Sequence, residues 1–323
     1  MILTIGNSGA YEIDAFQCVL NELCKRGVTA IMLKQDKCLQ GDTLLYTVDG
    51  RESRSCAIID GQEYDINDFE TIWYMKPYLP KELLGFEPAK YRQMIHRQFY
   101  TLRESLWSLF GNKNWINDPW AMHKADNKIY QMDLALKLGF AVPKTLVTSD
   151  PDKVREFYKM LKGRMIVKLL AASPILDEVI YTNLVTPEYM KQIDSVKFSP
   201  SIFQECVLKD YELRVTVVGD KIFPVKIYSQ EDEGTTLDWR RKPSINDFDV
   251  KMEKVSLPDT ITRKIFAYLE KLGLRYGSFD FIVTPDGDYV FLEINPNGQW
   301  YFVQLRTEFQ VASALADLLI NKG

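Results

Sequence analysis

The sequence predicts an α/β domain followed by two α+β regions. The chain opens with a strand in MILTI, a helix over about 12–25 and a second strand in VTAIML at 28–33, which is the order of a βαβ unit. Two antiparallel hairpins are predicted later, in ELRVTVVGDKIFPVKIYS and in GSFDFIVTPDGDYVFLEIN. These observations divide the 323 residues into three parts, 1–115, 116–200 and 201–323.

The composition is typical of a soluble globular protein, with 46% hydrophobic and 26% charged residues. Proteins that bind nucleic acid usually present a broad basic surface, so the net charge of −4 argues against a nucleic-acid partner. No apolar run approaches the roughly 20 residues that span a bilayer, and we expect no membrane partner. The N-terminus lacks the features of a signal peptide, and the five cysteines show no paired metal spacing. We therefore expect a reduced, cytoplasmic protein.

The first two parts continue with alternating strands and helices. TIWYMKP at 71–77 is predicted to be a strand, and an amphipathic helix follows across roughly 88–110. The second part begins with a helix that starts at Asp118-Pro119 and stops near Gly139. A helix in DPDKVREFYKML and a strand in RMIVKLL, at 164–170, come next.

The third part begins with the strand of SIFQECVL at 201–208, followed by a hairpin that turns at Gly219-Asp220. A long helix at 258–272, a second hairpin with a TPDGD turn and a final helix at 309–321 complete the chain.

Polar side chains lie at the end of the last predicted strand, in FLEINPNGQW at 291–300. Alternation along a strand puts Glu293 and Asn295 on one face, with Leu292 and Ile294 on the other. A carboxylate and an amide oxygen therefore face the same way just before the strand ends.

The second hairpin brings another carboxylate to this face. If Thr284 pairs with Tyr289 across the turn, Asp280 lies opposite Glu293. Two facing carboxylates repel, and burial makes this worse unless a cation lies between them or one keeps its proton. Two carboxylates and an amide oxygen form an all-oxygen set that suits Mg²⁺. The alternative is an exposed hairpin whose acids face water.

Two lysines precede this hairpin. Lys168 lies in the apolar strand at 164–170, where a charge is costly unless it is paired, and it could reach a phosphate as a point charge. The alternative is a lysine at a strand end whose ammonium group reaches water. Lys128, on the preceding helix, is less specific, because helical lysines usually face water.

The strand in SIFQECVL ends at Glu205 and runs into an extended linker. Free backbone N–H and C=O groups on such a linker can bind the hydrogen-bonding edge of adenine, with apolar neighbours on the ring faces. Glu212, at the start of the next strand, could accept hydrogen bonds from ribose hydroxyls, and Arg214 shares its strand face. The alternative is an exposed salt bridge between these two side chains, which would contribute little. DWRR at 238–241 adds Arg240, a bidentate partner for a phosphate or a carboxylate.

The order of these residues resembles that of the ATP-grasp ligases over about 115–300. It consists of a lysine on a helix, a lysine on a strand, a Gln-Glu linker, an acid with an arginine, and then Asp…Glu-x-Asn. Such enzymes hold ATP between two α+β subdomains and transfer its γ-phosphate to a carboxylate, and a nucleophile captures the resulting acyl phosphate. The resemblance implies a three-part ATP-grasp architecture, with an N-terminal α/β domain and an ATP cleft between central and C-terminal subdomains.

The resemblance also implies a role for each candidate residue. The residues expected to bind ATP are Lys128 and Lys168 at the phosphates, Glu205, Cys206, Val207 and Leu208 at the adenine, and Glu212 at the ribose. The expected Mg²⁺ ligands are Asp280, Glu293 and Asn295. The residues expected to stabilise the phosphoryl group in transfer are Arg214, Arg240 and Lys168.

A narrower resemblance, to the microviridin-type peptide ligases or graspetide synthetases, covers nearly the full chain. Its motifs are IWYMKP, KDYELRVTVVGD, KIYSQ, DWR and FLEINPNGQW. Those enzymes join Asp or Glu side chains of a ribosomal precursor peptide to Thr or Ser hydroxyls or to Lys amines, which closes macrocycles. They recognise a leader helix on their central domain and are usually dimers. The resemblance therefore implies a precursor peptide with a leader helix as the partner, and a homodimer.

Two segments depart from the family pattern. LLAASPILDE stands where many ATP-grasp enzymes have a glycine-rich lid, and Lys76 lies in a strand where arginines are frequent, which makes it a candidate peptide contact. The segment 174–194 could hold the leader helix in an apolar groove, with Asp177 and Glu178 pairing a leader arginine or lysine. The alternative is an ordinary mobile lid whose acids are solvated.

Three functions are open at this point. The first is an ATP- and Mg²⁺-dependent peptide macrocyclase, and the second is a ligase that adds an amino acid to a small molecule or a protein tail. The third is a nucleotide-binding scaffold without catalysis, against which the complete metal trio and Arg240 argue. Ester and amide formation start from the same acyl phosphate, so the sequence does not choose between them.

Overall fold

A computed structural model of the chain describes residues 1–83, 85–171, 181–231, 234–241 and 250–321. The candidate leader contacts Asp177 and Glu178 lie outside these residues. Within the described ranges, none of the helices is long and apolar enough to cross a membrane.

The N-terminal part is built on a parallel sheet. Its elements are β1 (Ile2–Gly6), α1 (Ala10–Lys25), β2 (Ala30–Lys34), β3 (Thr43–Val48), β4 (Ser53–Ile59), β5 (Gln62–Asp65), β6 (Thr71–Tyr74), α2 (Arg92–Leu109) and β7 (Asn114–Ile116). The parallel sheet has the order β2-β1-β6-β7, and β3, β4 and β5 form a small antiparallel sheet that the sequence analysis did not predict. The predicted βαβ opening is confirmed, because β1 and β2 are parallel neighbours joined by α1. Ala15, Val19 and Leu23 of α1 recur every four residues and bury one face of the helix.

The second part begins with two helices, α3 (Pro119–Ala125) and α4 (Lys128–Lys137). The prediction of one continuous helix was wrong, because Asn127 takes an N-cap position between them. Its backbone is extended, and its side-chain oxygen accepts a hydrogen bond from Tyr130 N at 3.0 Å. The break makes Lys128 the first residue of α4.

The central sheet has the strand order β10-β9-β11-β8. The elements of this region are β8 (Thr145–Thr148), α5 (Pro151–Met160), β9 (Met165–Lys168), β10 (Asn183–Leu184), α6 (Pro187–Lys191) and β11 (Ser201–Glu205). The sequence analysis placed β11 at the start of the third part, but β11 pairs with β8 and β9. The division by residue number stays a prediction.

The third part is built on an antiparallel sheet with the order β14-β13-β12-β15-β16. Its elements are β12 (Tyr211–Val218), β13 (Lys221–Ile227), β14 (Met252–Lys254), α7 (Asp259–Leu272), β15 (Tyr276–Val283), β16 (Tyr289–Asn295), α8 (Tyr301–Thr307) and α9 (Val311–Ile320). Both predicted hairpins are confirmed. Their turns contain Gly219 and Gly287, with φ of 60° and 85°, a conformation that glycine adopts without strain. Phe279 of β15 and Phe291 of β16 pack on Tyr268 of α7 in the core, and Phe281 packs against both phenylalanines.

The register between β15 and β16 places Asp280 opposite Glu293, as predicted. The predicted pairing of Thr284 with Tyr289 was wrong, because Val283 is the partner of Tyr289. The turn is therefore one residue longer than expected, yet the two acids still face each other.

A β-bulge in β16 explains this result. Phe281 pairs with Phe291 and the preceding Asp280 pairs with Glu293, so Leu292 is an extra residue on β16. The bulge also interrupts the alternation along the strand. Leu292 and Glu293 both line the cleft described below, although the sequence analysis placed them on opposite faces.

Candidate active site

A cleft of about 400 Å³ opens between the central sheet and the antiparallel sheet of the third part. Its walls come from the ends of β9 and β11, the linker after β11, the start of β12, and the β15–β16 hairpin. The predicted site residues that the cleft brings together are Lys168, Glu205, Cys206, Val207, Leu208, Glu212, Arg240, Asp280 and Glu293. Lys128 and Arg214 lie close enough to contact the acids of the cleft.

Lys168 is the last residue of β9 and faces the cleft. Burial lowers the pKa of its ammonium group, and the carboxylate of Glu293 partly opposes that shift. Among the described residues, the Lys168 ammonium has neither a hydrogen bond nor an ion pair. A desolvated cation without a protein partner, directed into a cleft, supports contact with an anionic ligand such as a phosphate.

Lys128 faces the same site from the first turn of α4. Its Nζ donates to the carbonyl oxygen of Leu169 at 3.2 Å and lies 3.8 Å from Glu293 Oε2. Lys128, whose signal in the sequence was the least specific, is therefore directed at Glu293 and not at bulk water.

The linker after β11 presents backbone groups at the cleft. Cys206 N donates to the carbonyl oxygen of Arg164 at 3.0 Å, which ties the linker to the central sheet. In the part of the chain that the structure describes, the N–H groups of Val207 and Leu208 have no hydrogen-bond partner. The Leu208 side chain is apolar and 68% exposed. Free donors beside an exposed apolar side chain suit the edge and the face of a purine ring.

Glu212 pairs with Lys209, so the alternative of a salt bridge between Glu212 and Arg214 was wrong. Lys209 Nζ donates to Glu212 Oε1 at 2.7 Å and to the carbonyl oxygen of Leu237 at 3.1 Å. Burial raises the pKa of Glu212, and the charge of Lys209 opposes the shift. Glu212 lies on the cleft wall with acceptor capacity to spare, as a contact to ribose hydroxyls requires.

Arg240 is held by a carboxylate that the sequence analysis did not assign. Its Nε and Nη2 donate to the two oxygens of Asp238 at 2.9 and 3.0 Å, and Asp238 itself is buried. Its Nη1 lies 3.8 Å from Glu293 Oε1. The two hydrogen bonds to Asp238 fix the half-exposed guanidinium of Arg240 at the cleft.

Asp280 and Arg214 form a part-buried ion pair across β12 and β15. Arg214 Nη1 lies 3.0 and 2.9 Å from the two carboxylate oxygens, and Nη2 donates to the carbonyl oxygen of Gln299 at 3.1 Å. Burial raises the pKa of Asp280, and Arg214 opposes that shift. The Arg214 guanidinium offsets the charge of Asp280. Further lone pairs of the Asp280 carboxylate remain available.

Glu293 is surrounded by cations at a longer distance. Lys128 and Arg240 each lie 3.8 Å from one of its oxygens. Burial opposes its ionisation, but the charges of Lys128, Lys168 and Arg240 hold the pKa of this carboxyl below its usual range. Among the described residues it accepts no hydrogen bond. An ionised carboxylate without a donor, facing Asp280, fits a divalent cation.

Asn295 is exposed, and its side-chain oxygen accepts a hydrogen bond from Asn297 N at 3.1 Å. The amide oxygen keeps a second lone pair, so this turn is compatible with a metal contact. Within the described ranges, no group of three or more acidic, histidine or cysteine side chains is arranged as metal ligands. Two carboxylates completed by nucleotide phosphates are the usual Mg²⁺ arrangement, and the place of Asn295 in it stays a prediction.

Lys76, the candidate peptide contact, forms an ion pair with Asp126 at 2.7 Å. Asp126 lies at the break between α3 and α4, next to the site. Asn297 Nδ2 donates to the carbonyl oxygen of Met75 at 2.7 Å, which ties the end of β6 to the turn after β16. The ammonium of Lys76 is half exposed, and its contact with a peptide stays a prediction.

Gly298 has a role that the sequence analysis missed. A Cβ at this position would lie 2.6 Å from Arg214 Nη2 and 2.4 Å from the Cβ of Ser278. The turn can therefore approach the guanidinium only because residue 298 is glycine. An Asn-Gly pair is typical of a turn, but it does not indicate which side chain packs against that turn.

The whole chain is similar to solved peptide-modifying ligases. It matches macrocyclase MdnC from Microcystis aeruginosa MRC, bound with precursor peptide MdnA, with a TM-score of 0.86 and 26% identity over 99% of each chain. It matches the RiPP-associated ATP-grasp ligase of Chryseobacterium gregarium, in complex with ADP and a leader and core peptide, with a TM-score of 0.84 and 27% identity. That match covers 100% of this chain and 97% of the other.

A sequence relative is the alpha-aminoadipate–LysW ligase LysX of Sulfolobus acidocaldarius. It is 23% identical over 216 residues, which are 64% of this chain and 74% of LysX. No protein-family model matches the chain. The predicted fold is confirmed: the chain has the ATP-grasp ligase fold, and its resemblance to the peptide-macrocyclising ATP-grasp ligases extends over its whole length.

Proposed function

We propose that this protein is an ATP- and Mg²⁺-dependent ligase of the microviridin type, which closes macrocycles in a ribosomal precursor peptide. The observation that carries the proposal is one cleft where Asp280 and Glu293 face each other among fixed cations, beside a linker with free N–H groups. The similarity to a macrocyclase bound with its precursor peptide supports a peptide substrate.

The donor set fits the cofactors. Asp280 and Glu293 are hard oxygen ligands for Mg²⁺, and Lys168 and Lys128 are cations for the nucleotide phosphates. Bound Mg·ATP supplies the γ-phosphate and the metal charge that stabilises its transfer. Two features of the described residues support this fit: the Lys168 ammonium has no ion pair there, and the Glu293 carboxylate accepts no hydrogen bond there.

The residues of the chain bind and orient the reactants. The linker binds adenine through its free backbone groups, Glu212 binds ribose, and Arg240, fixed by Asp238, holds the substrate carboxylate or the phosphoryl group. An Asp or Glu carboxylate of the peptide takes the γ-phosphoryl group from ATP. This forms an acyl phosphate on the peptide, and ADP is the leaving group. A Thr or Ser hydroxyl or a Lys amine then attacks the acyl carbon and releases phosphate, so each ring forms with net loss of one water.

We also propose that the segment 174–194 binds the leader helix and that the protein is a homodimer. Replacing both Asp177 and Glu178 by alanine should weaken binding of the leader peptide, and the loss should depend on salt, because both acids pair cationic leader residues. ADP affinity, measured separately, should stay at its wild-type value. Unchanged leader binding would show that the leader binds elsewhere on the protein.

Mass spectrometry of candidate precursor peptides tests the proposed function. Peptides rich in Thr, Lys, Asp and Glu, incubated with the protein, ATP and Mg²⁺, should lose about 18 Da for each ring, the mass of the water lost in condensation. Addition of an amino acid would raise the mass of the acceptor, and a scaffold without catalysis would leave it unchanged. Reactions without ATP provide the control.

A further inference from the structure

Gln131 is a buried glutamine on α4, only 3% exposed, that has no part in the chemistry described above. It lies three residues after Lys128, so both side chains are on the same face of the helix. The Lys128 ammonium lies 3.8 Å from the Glu293 carboxylate, and the Gln131 side chain hydrogen-bonds to the backbone of the next residue, Ile294.

The side-chain amide of Gln131 forms two hydrogen bonds with a single residue of β16. Its Oε1 accepts from Ile294 N at 3.0 Å, and its Nε2 donates to the carbonyl oxygen of Ile294 at 2.9 Å. Nε2 also donates to the carbonyl oxygen of Ala125 at 2.6 Å. The pair at Ile294 reproduces what a neighbouring antiparallel strand would supply. In the described sheet β16 is an edge strand, so Gln131 satisfies backbone groups that would otherwise be buried without partners.

These bonds lie beside the irregularity in the pairing of β15 with β16. The bulge at Leu292 interrupts the pairing with β15 immediately before Glu293. Ile294 follows directly, and its peptide group determines the direction in which the Glu293 side chain leaves the strand. The main chain of Gln131 is itself fixed, because the Tyr268 hydroxyl donates to the Gln131 main-chain carbonyl oxygen at 2.9 Å.

We propose that Gln131 is a positioning residue for the metal-binding acids. By holding both backbone groups of Ile294 it fixes the Glu293 carboxylate relative to Asp280 across the bulge. The inference rests on the proposed function, in which these acids bind the Mg²⁺ that accompanies the nucleotide. Groups that orient metal ligands in this way typically change metal affinity about 10- to 100-fold when they are removed.

Two substitutions separate positioning from packing. Gln131→Met keeps the length of the side chain and removes both bonds to Ile294, whereas Gln131→Glu keeps an acceptor for Ile294 N but sets a carboxylate oxygen against the Ile294 carbonyl. Gln35→Met is the matched control. Gln35 is also buried, and its Oε1 accepts from Arg103 Nη1 at 3.2 Å in the N-terminal part.

The measurement is ADP affinity by titration calorimetry with and without Mg²⁺, together with hydrogen exchange of the peptide that contains Ile294. In the wild type, Mg²⁺ should strengthen ADP binding. Gln131→Met should reduce that gain about 10-fold or more while ADP affinity without Mg²⁺ changes less than about twofold. The Ile294 amide should exchange faster, Gln131→Glu should show a partial loss, and Gln35→Met should keep the full gain.

A wild-type Mg²⁺ gain in Gln131→Met would overturn the positioning role and leave the proposed function standing. Absence of any Mg²⁺ gain in the wild-type protein would contradict the proposed function and the positioning role together. If Gln131→Met does not fold, Gln131→Leu decides, because it also lacks both bonds to Ile294, and a full gain in that variant would overturn the inference.

Discussion

At the scale of single residues, the two facing acids have different surroundings. Asp280 has Arg214 at hydrogen-bond distance, whereas the ion pairs that Glu293 forms within the described part of the chain, with Lys128 and Arg240, are 3.8 Å long. Burial raises the pKa of Asp280, and the surrounding charges lower that of Glu293. The sequence predicted that a buried pair needs either a compensating cation or a retained proton, and the protein supplies part of the positive charge itself. In the proposed site, we therefore expect Glu293 to contribute more charge to a metal ion than Asp280 does.

Replacing Glu293 by glutamine tests this view. Turnover should fall at least about 100-fold, because a metal ligand is lost. An isolated acid pair would gain stability from the change, but here Lys128, Lys168 and Arg240 lose their counter-charge, so the melting temperature at pH 7 should fall. Full activity at ordinary Mg²⁺ concentrations would show that Glu293 is not a ligand.

The pH dependence of that stability difference has a definite sign. Folding lowers the pKa of Glu293, so its ionised form stabilises the protein above about pH 4.3, the usual value for glutamate. This contribution is lost as the pH falls through the lowered pKa. The difference in melting temperature between wild type and Glu293→Gln should therefore shrink in acid, and a difference that grows in acid would contradict the assigned charge state.

Lys168→Met should separate ligand binding from stability. ATP affinity or turnover should fall about tenfold or more, because a phosphate partner is lost. Burial lowers the pKa of Lys168, so the charged form destabilises the fold below that pKa, and the variant should melt no lower than wild type at pH 7. Lys137→Met, on an exposed lysine of α4, is the control. Unchanged KM and kcat would restore the interpretation of Lys168 as a lysine that only faces water.

At the scale of elements, the sequence predicted both hairpins because glycine turns separate runs of apolar alternation. It could not predict the bulge at Leu292. The irregularity depends on partners outside the hairpin, such as Gln131 and the carbonyl of Ala141, which accepts from Phe291 N at 2.8 Å. The facing of Asp280 and Glu293 was thus predicted correctly through two errors of one residue that cancel.

The break between α3 and α4 was missed for a related reason. Asparagine in a helical run is a weak signal, and its capping role depends on how the chain packs on either side. The sheet of β3 to β5 was missed because most of β3 is exposed and shows no clear polar alternation. Both misses concern elements whose identity is decided by tertiary contacts.

Asn127→Ala tests the functional weight of that break. Loss of the cap should cost about 1 kcal/mol of stability and loosen the first turn of α4, which carries Lys128. We expect ATP affinity to fall several-fold. Asp150→Ala, which removes the N-cap of α5, should cost a similar free energy of unfolding and leave ATP affinity at its wild-type value. Equal effects of the two variants on ATP affinity would show that the α4 cap has no special role.

At the scale of the whole molecule, the site is assembled from elements distant in the sequence. Lys128 comes from α4, Lys168 from β9 and the two acids from the last hairpin. The order of these residues along the chain could be predicted, because it is visible in the residue types and in the local strand and helix patterns. The supporting contacts of Asp238, Lys209 and Gly298 could not be predicted, because each depends on distances between segments that no local pattern encodes.

In the proposed reaction, the cleft activates side-chain carboxylates of a peptide with ATP. The most direct measurement follows oxygen-18 from labelled Asp and Glu carboxyl groups of the precursor into inorganic phosphate by mass spectrometry. Attack of a hydroxyl or an amine on the activated carbonyl leaves one carboxyl oxygen on the phosphate. We predict one labelled oxygen in phosphate, and one ADP, for each ring formed. Rings that form while the phosphate stays unlabelled would show that the peptide carboxylates are not activated as acyl phosphates.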